Sequence, residues 1–281
     1  MAQSAAAFGA IARDVLADAA IYRRLIGARI RAQLQYRVSF AVSVGLFFAG
    51  LIFEFLAVLI LFNQFGTLAG WTVGEVALLL GMASLAFGLA EMLSAGFDIF
   101  PGTIRRGEFD QVLLRPVSVF VQTLAADFQL RRFGRIAQAL VALTFAFSRI
   151  DIDWTVEKAL YLPLVIVCGI VMFFSLFVFG AVICFWTVQS VEMINILTNG
   201  GTELASYPLP IYGESLRRFF TFVVPLAFVS YFPALYLLDR PEASDWPVWM
   251  PLLSPAAALF LAVAARVAWG FGVRHYRSTG S

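Results

Sequence analysis

The chain has 281 residues, of which 61% are hydrophobic and 14% charged, and its mean hydropathy is +0.85. A soluble domain carries about 25% charged residues and roughly half apolar ones, so the composition excludes a water-exposed globule and points to a chain surrounded by lipid. The net charge of +2 decides little, because the placement of the charges matters more than their sum.

The first residues, Met1-Ala2-Gln3-Ser4-Ala5, do not match a cleaved signal peptide, since Arg13, Asp14 and Asp18 interrupt any short apolar core. From residue 5 to about 35, Phe8, Ile11, Val15, Leu16, Ala19, Tyr22, Leu25 and Ile26 recur at helical spacing, with Arg23, Arg24 and Arg31 on other faces. Residues 1–35 are expected to form an amphipathic helix, too charged to span. It suits the cytoplasmic interface or the surface of a partner equally.

Residues 36–281 read as one membrane domain of six apolar spans. They run from about Val38 to Phe62, Val76 to Phe97, Ile136 to Phe147 (with a start nearer Leu130), Leu160 to Val188, Phe219 to Leu238, and Trp249 to Val273. A ~30 Å hydrocarbon core requires about 20 residues per helix. Stripes of small residues, Ala77, Gly81, Ser84 and Gly88 in the second span and Ala264, Ala268 and Gly272 in the sixth, allow helices to approach closely in lipid. Cys168 and Cys184 share one span and, about 24 Å apart along a helix, read as packing residues. His275 is the single histidine, so neither a metal cluster nor a Ser-His-Asp triad is expected.

Basic residues concentrate on one side. Arg13, Arg23, Arg24, Arg29, Arg31 and Arg37 precede the first span, and Arg105, Arg106, Arg115, Arg131, Arg132 and Arg135 fill the longest polar connection. Arg217, Arg218, Arg274 and Arg277 are assigned with them. The opposite side holds Asp151, Asp153, Glu157, Asp239, Glu242 and Asp245, with Trp154, Trp246 and Trp249 at the interface. The positive-inside rule then expects an all-α membrane protein with six spans and both termini cytoplasmic.

The connection of about 99–132 carries Ile104-Arg105-Arg106-Gly107-Glu108-Phe109-Asp110, two residues on Leu113-Leu114-Arg115-Pro116, then Val117-Ser118. Gly107 suits a break before a short helix, Glu108 and Asp110 suit its positive end, and Pro116 closes it. Such a helix would expose Phe109, Val112, Leu113 and Arg115 as a docking knob; a plain connecting loop is the alternative.

This pattern resembles the loop between the second and third spans of exporter-type (type 2) ATP-binding-cassette permeases, closest to a bacterial subgroup encoded beside a second permease and an ATPase. Tyr207-Pro208, Ile211-Tyr212, Val224-Pro225-Leu226-Ala227-Phe228 and Tyr231-Phe232-Pro233-Ala234 extend the likeness over most of the chain. The resemblance implies a loop helix, Arg106 to Pro116, that inserts into a cleft of the ATPase. Arg106, Gly107, Glu108, Asp110, Leu114, Arg115 and Pro116 would form that element, with Glu108 and Arg115 in polar contact and Phe109 and Leu113 filling the groove. It also implies two copies of a nucleotide-binding subunit, which would hold ATP and magnesium, a second permease, and a bacterial inner-membrane location. The chain itself lacks the Gly-x-x-x-x-Gly-Lys-Ser/Thr loop that binds phosphates, and its single lysine, Lys158, begins the fourth span. No catalytic residue, metal or nucleic-acid partner is expected; membrane lipid is.

Glu54, Glu91 and Arg266 fall within expected spans and Glu192 near an inner end. Intramembrane charges are costly and often functional. Glu91 and Arg266 are expected to pair across helices, or to line a polar path between two permeases. A proton-carrying Glu54 would instead make the chain a secondary transporter. A lipid-modifying enzyme lacks convergent catalytic groups, and a scaffold would leave the loop motif without a role.

Overall fold

The computed structural model describes residues 20–187, 191–240, 246–247 and 249–276, apart from the side chains of 51, 54, 61, 65, 131 and 191–194. The proposed helix before residue 20, and Glu242, Asp245 and Arg277, lie outside the described residues, as do the side chains of Glu54 and Glu192.

All regular elements among the described residues are helical, apart from one isolated bridge between Leu68 and Trp71. Helix α1 covers 20–34, followed by α2 (Arg37–Phe65) and α3 (Val73–Asp98). The connection then holds α4 (Phe100–Arg105), α5 (Phe109–Leu113) and α6 (Val119–Leu124). Next come α7 (Phe133–Arg149), α8 (Val156–Ile183), α9 (Val191–Ala205), α10 (Glu214–Arg218), α11 (Tyr231–Leu237) and α12 (Ser254–His275).

Helix α3 is the axis of the bundle. A capping box starts it: the Thr72 N–H donates to Glu75 Oε2 at 2.7 Å, and Thr72 Oγ1 accepts from the Glu75 N–H at 3.4 Å. Its Ala, Gly and Leu residues are buried almost throughout, against α7 on one side and α8 on another. A Cβ at Gly81 would stand 2.7 Å from Leu143 Cγ, so the small stripe read in the sequence is the seam with α7. In lipid such close packing replaces the hydrophobic effect as the force between helices.

Four helical runs are long and apolar enough to cross a membrane: Arg37–Gln64, Val73–Arg105, Val156–Ile183 and Met250–His275. These coincide with the first, second, fourth and sixth expected spans. Helix α7 matches the third expected span, but its 17 residues reach only about 25 Å.

The fifth expected span is not a continuous helix. Glu214–Val223 and Leu226–Leu237 are bent by 77° at Val224-Pro225. Pro225 has no N–H for the helical ladder and drives Val224 to φ −120°, ψ 87°. Phe222 packs on Trp246 with ring centroids 5.5 Å apart, and Trp246 also meets Phe232. Arg217 and Arg218 lie on the first limb of this bent pair, ahead of Phe222. Arg218 is neutralised locally by Glu214 at 2.5 Å. The far end of the bent pair is tied by Asp239 to Lys158 and by Arg240 to Glu75 at 2.7 Å.

Helix α1 buries one side and exposes the other over its described residues. Tyr22, Ile26 and Ile30 pack with Met92, Phe128 and Leu130, while Arg23, Arg24 and Arg31 are exposed. Gln33 closes the contact. Its Nε2 donates to the Phe128 carbonyl, and its Oε1 accepts from the Leu130 N–H at 3.1 Å.

Candidate functional site

The connection between α3 and α7 forms a compact platform at one end of the bundle. Helix α3 passes through Ile99 into α4 with little change of direction, and α4 stops at Gly107, whose φ of +68° favours glycine. The Gly107 N–H reaches the Ile104 carbonyl and the Glu108 N–H the Thr103 carbonyl, both at 3.1 Å, closing a Schellman turn. Helix α5 follows and ends at Leu113, ahead of Arg115, which as the residue before Pro116 is steered away from helical geometry.

Two contacts fix the returning limb. Gln122 Nε2 donates to the carbonyls of Val112 at 3.1 Å and Val117 at 2.8 Å. A Cβ at Gly96 would lie 1.9 Å from the Thr123 carbonyl oxygen, so α6 crosses α3 where only glycine leaves room.

The turn at Gly107 aims Phe109 back into the bundle, which corrects its expected place in a docking groove. Phe109 is 0% exposed. Its ring meets Phe100 at 5.3 Å, Phe185 at 5.5 Å and Tyr276 at 4.7 Å. Trp269 extends the cluster to Phe97 at 5.3 Å and Phe120 at 5.7 Å. Helices α3, α4, α5 and α6, the end of α8 and the end of α12 thus meet in one set of edge-on and tilted rings, the favoured geometry for aromatic pairs.

The opposite face of the platform points outward. Leu114 is 85% exposed and Leu113 42%, and Gln111, Arg115 and Pro116 are exposed with them. Val112 is half-buried. Arg106 and Glu108 are paired with each other, Nε to Oε1, at 2.7 Å. That hydrogen bond holds the Glu108 carboxyl below its usual range and raises the Arg106 guanidinium. Asp110 faces the Tyr276 hydroxyl, whose pKa is raised by burial first and by this carboxylate second. The nine residues singled out in the sequence therefore divide. Leu113, Leu114, Arg115 and Pro116 form an exposed ridge, Arg106 and Glu108 brace the turn at Gly107, Asp110 faces Tyr276, and Phe109 is the internal anchor.

Sequence reasoning missed Gln122, Gly96, Phe185, Trp269 and Tyr276. Phe185 and Trp269 lie far along the chain in apolar runs, where nothing distinguishes them from lipid-facing aromatics. Gln122 carried a weak signal as a lone amide among Val119, Phe120 and Val121.

The intramembrane charges are arranged differently from expectation. Glu91, 7% exposed, meets Arg132 Nη1 at 2.7 Å and Arg135 Nε at 3.9 Å. Arg135 also lies 4.8 Å from the Phe87 ring centre, and both arginines face Phe47. The start of α7 brings its arginines onto α3, so the expected Glu91–Arg266 pair is replaced. Arg266 is exposed on α12, with its guanidinium beside Gly270 toward the helix end, the posture of a side chain reaching for the interface. Among the described residues no group of three His, Cys, Asp or Glu side chains could hold a metal.

A family model described as ABC-2 family transporter protein matches residues 48–280, from the middle of α2 past the end of α12. No curated protein and no solved structure matches the chain.

Proposed function

The chain belongs to the ABC-2 transporter family, and from that premise we propose that it is the permease of an ATP-driven exporter, coupled to a separate ATPase through residues 105–116. Membership and the apolar helices make it a multi-pass membrane component of an ABC transporter. Export, a bacterial inner membrane, a second permease and two ATPase copies, with ATP and magnesium held by those copies, complete the reading.

One observation carries the coupling role: the platform has an exposed ridge on one face and Phe109 locked among the ends of three long helices on the other. A partner that grips Leu113, Leu114 and Arg115 moves α5 as a body. Phe109 then passes that movement to Phe100 beyond α3, Phe185 beyond α8, and Tyr276 beyond α12. A loop joined to a single helix would lack this branching. Coupling travels through a packed, contiguous set of side chains.

Six crossings fit if α7 counts as a short span and α9 with the bent pair makes the fifth. Both termini then share the cytoplasmic side with the platform. The proton-coupled alternative turns on Glu54, whose side chain lies outside the described residues.

The test is co-purification of the tagged chain from native membrane with ATPase activity assayed on the eluate. Recovery of a nucleotide-binding subunit, lost in a Leu114→Asp/Arg115→Glu variant that still inserts, supports the reading. A chain that emerges alone and inert toward ATP overturns it.

A further inference from the structure

A cavity of about 430 Å³ opens between α1 and the platform. Leu25 and Arg29 form its α1 side, and the end of α3 with α4 to α6 forms the rest. Five charged side chains line it, three arginines and two carboxylates. Arg106 is held by Glu108 at 2.7 Å. Asp127 accepts from the Phe128 N–H at 2.8 Å and from Gln129 Nε2 at 3.1 Å. Arg29 and Arg115 have no ion-pair partner among the described residues. Both carboxylates are therefore engaged while two guanidiniums are not, and the lining is left with an excess of one positive charge.

Two further observations say what fits there. Gln122 is part of the wall, and because its Nε2 serves the Val112 and Val117 carbonyls, its amide has one orientation. That leaves the Gln122 Oε1 buried with no hydrogen-bond partner among the described residues. An acceptor in that position costs about 1–3 kcal/mol, so the wall lacks a donor. The second observation is depth. A ~30 Å hydrocarbon core takes about 20 helical residues, so the run Val73–Arg105 leaves the hydrocarbon shortly before Ile99 and enters the headgroup layer. Ile99 and Thr103 line the cavity at that level.

We propose that this cavity seats the headgroup of an anionic phospholipid, its phosphate held by Arg29 and Arg115 and a headgroup hydroxyl donating at the Gln122 wall. The planar fork of arginine donors matches phosphate oxygens. Leu25 and Ile99 line the same cavity and are exposed; they give the lipid's glycerol and first acyl carbons an apolar rim that a free phosphate has no use for. The bound lipid bridges α1 to α5, so the anionic lipid content of the membrane sets how firmly the platform is held. The site itself needs only the membrane placement, and its effect on coupling rests on the permease reading.

Lipid titration of the full-length chain tests it. The delipidated protein in neutral detergent is titrated with phosphatidylglycerol, with phosphatidylcholine and with soluble glycerol phosphate, and binding is read by native mass spectrometry. The expected result is phosphatidylglycerol at least about ten-fold tighter than phosphatidylcholine. That preference is lost in Arg29→Ala and kept in Arg23→Ala, an exposed arginine of the same helix outside the cavity. No preference, or equal losses in the two variants, overturns the proposal, the second by reducing it to general surface charge. Glycerol phosphate binding as tightly as the lipid overturns the assignment to a membrane lipid. The titration needs no ATPase, so its failure leaves the permease reading standing, whereas failed ATPase co-purification strikes that reading and leaves the lipid result in place.

Discussion

The Phe109 and Tyr276 rings meet edge to face with centroids 4.7 Å apart, joining the middle of the α3–α7 connection to the residue that follows the last helix. The two positions are separated by most of the chain, so any displacement of α5 is felt at the end of α12 without passing through the intervening spans.

Phe109→Ala removes the anchor. Large-to-small changes at buried phenylalanines cost about 3–5 kcal/mol, and the loss here falls on the platform. The expected outcome is a lowered melting temperature together with an ATPase that still co-purifies but hydrolyses ATP without transport. Normal coupling in this variant would remove Phe109 from the transmission path.

Leu114 and Arg115 predict the complementary phenotype. Both are exposed, and surface substitutions away from special features shift stability by about 0.5 kcal/mol or less. Leu114→Ala with Arg115→Ala should leave the melting curve in place and weaken ATPase recovery, measured by quantitative pull-down. A destabilised chain with intact recovery would contradict the assignment of these residues to the exposed ridge.

Gly96→Ala should disturb the platform from below. The added methyl meets the Thr123 carbonyl oxygen, a backbone atom that cannot rotate away, and overpacking of this kind costs about 1–3 kcal/mol. Faster hydrogen exchange in α6 and around Gln122, with α8 unchanged, is the expected signature.

The Arg106–Glu108 pair gives a pH dependence of defined sign. The folded carboxyl sits below its ordinary value because Arg106 hydrogen-bonds it. Its contribution is therefore complete above the unfolded glutamate value of about 4.3 and lost as pH falls through the depressed folded value. A spin label at Gln111 should keep constant mobility from about pH 8 to about pH 5 and loosen only below about pH 4. Glu108→Gln should abolish that acid transition; an unaltered transition would place it elsewhere.

Much of this was readable from residue order. Apolar runs located four long helices and the position of α7, because lipid demands length and apolarity and little else. Gly107 and Pro116 marked the platform's turns, since their backbone limits are local. The inward turn of Phe109 was not readable: it depends on how a Schellman turn rotates a five-residue helix relative to Phe185 and Tyr276. The sequence also read Phe219 to Leu238 as one continuous span, whereas Pro225 breaks it into two limbs bent by 77°. Glu91 misled for a similar reason. Its partners, Arg132 and Arg135, were counted as loop charges although α7 carries them onto α3.

The Gln33 clasp has a consequence for the making of the protein. Gln33 is synthesised 95 residues ahead of Phe128 and 97 ahead of Leu130. Through the insertion of α2 and α3 its amide has no acceptor waiting, so α1 remains unfastened on the nascent chain. The latch closes only when the first helical hairpin is in place and its returning limb has emerged. Fastening of α1 is therefore a late event in synthesis, because it depends on residues that follow both α2 and α3.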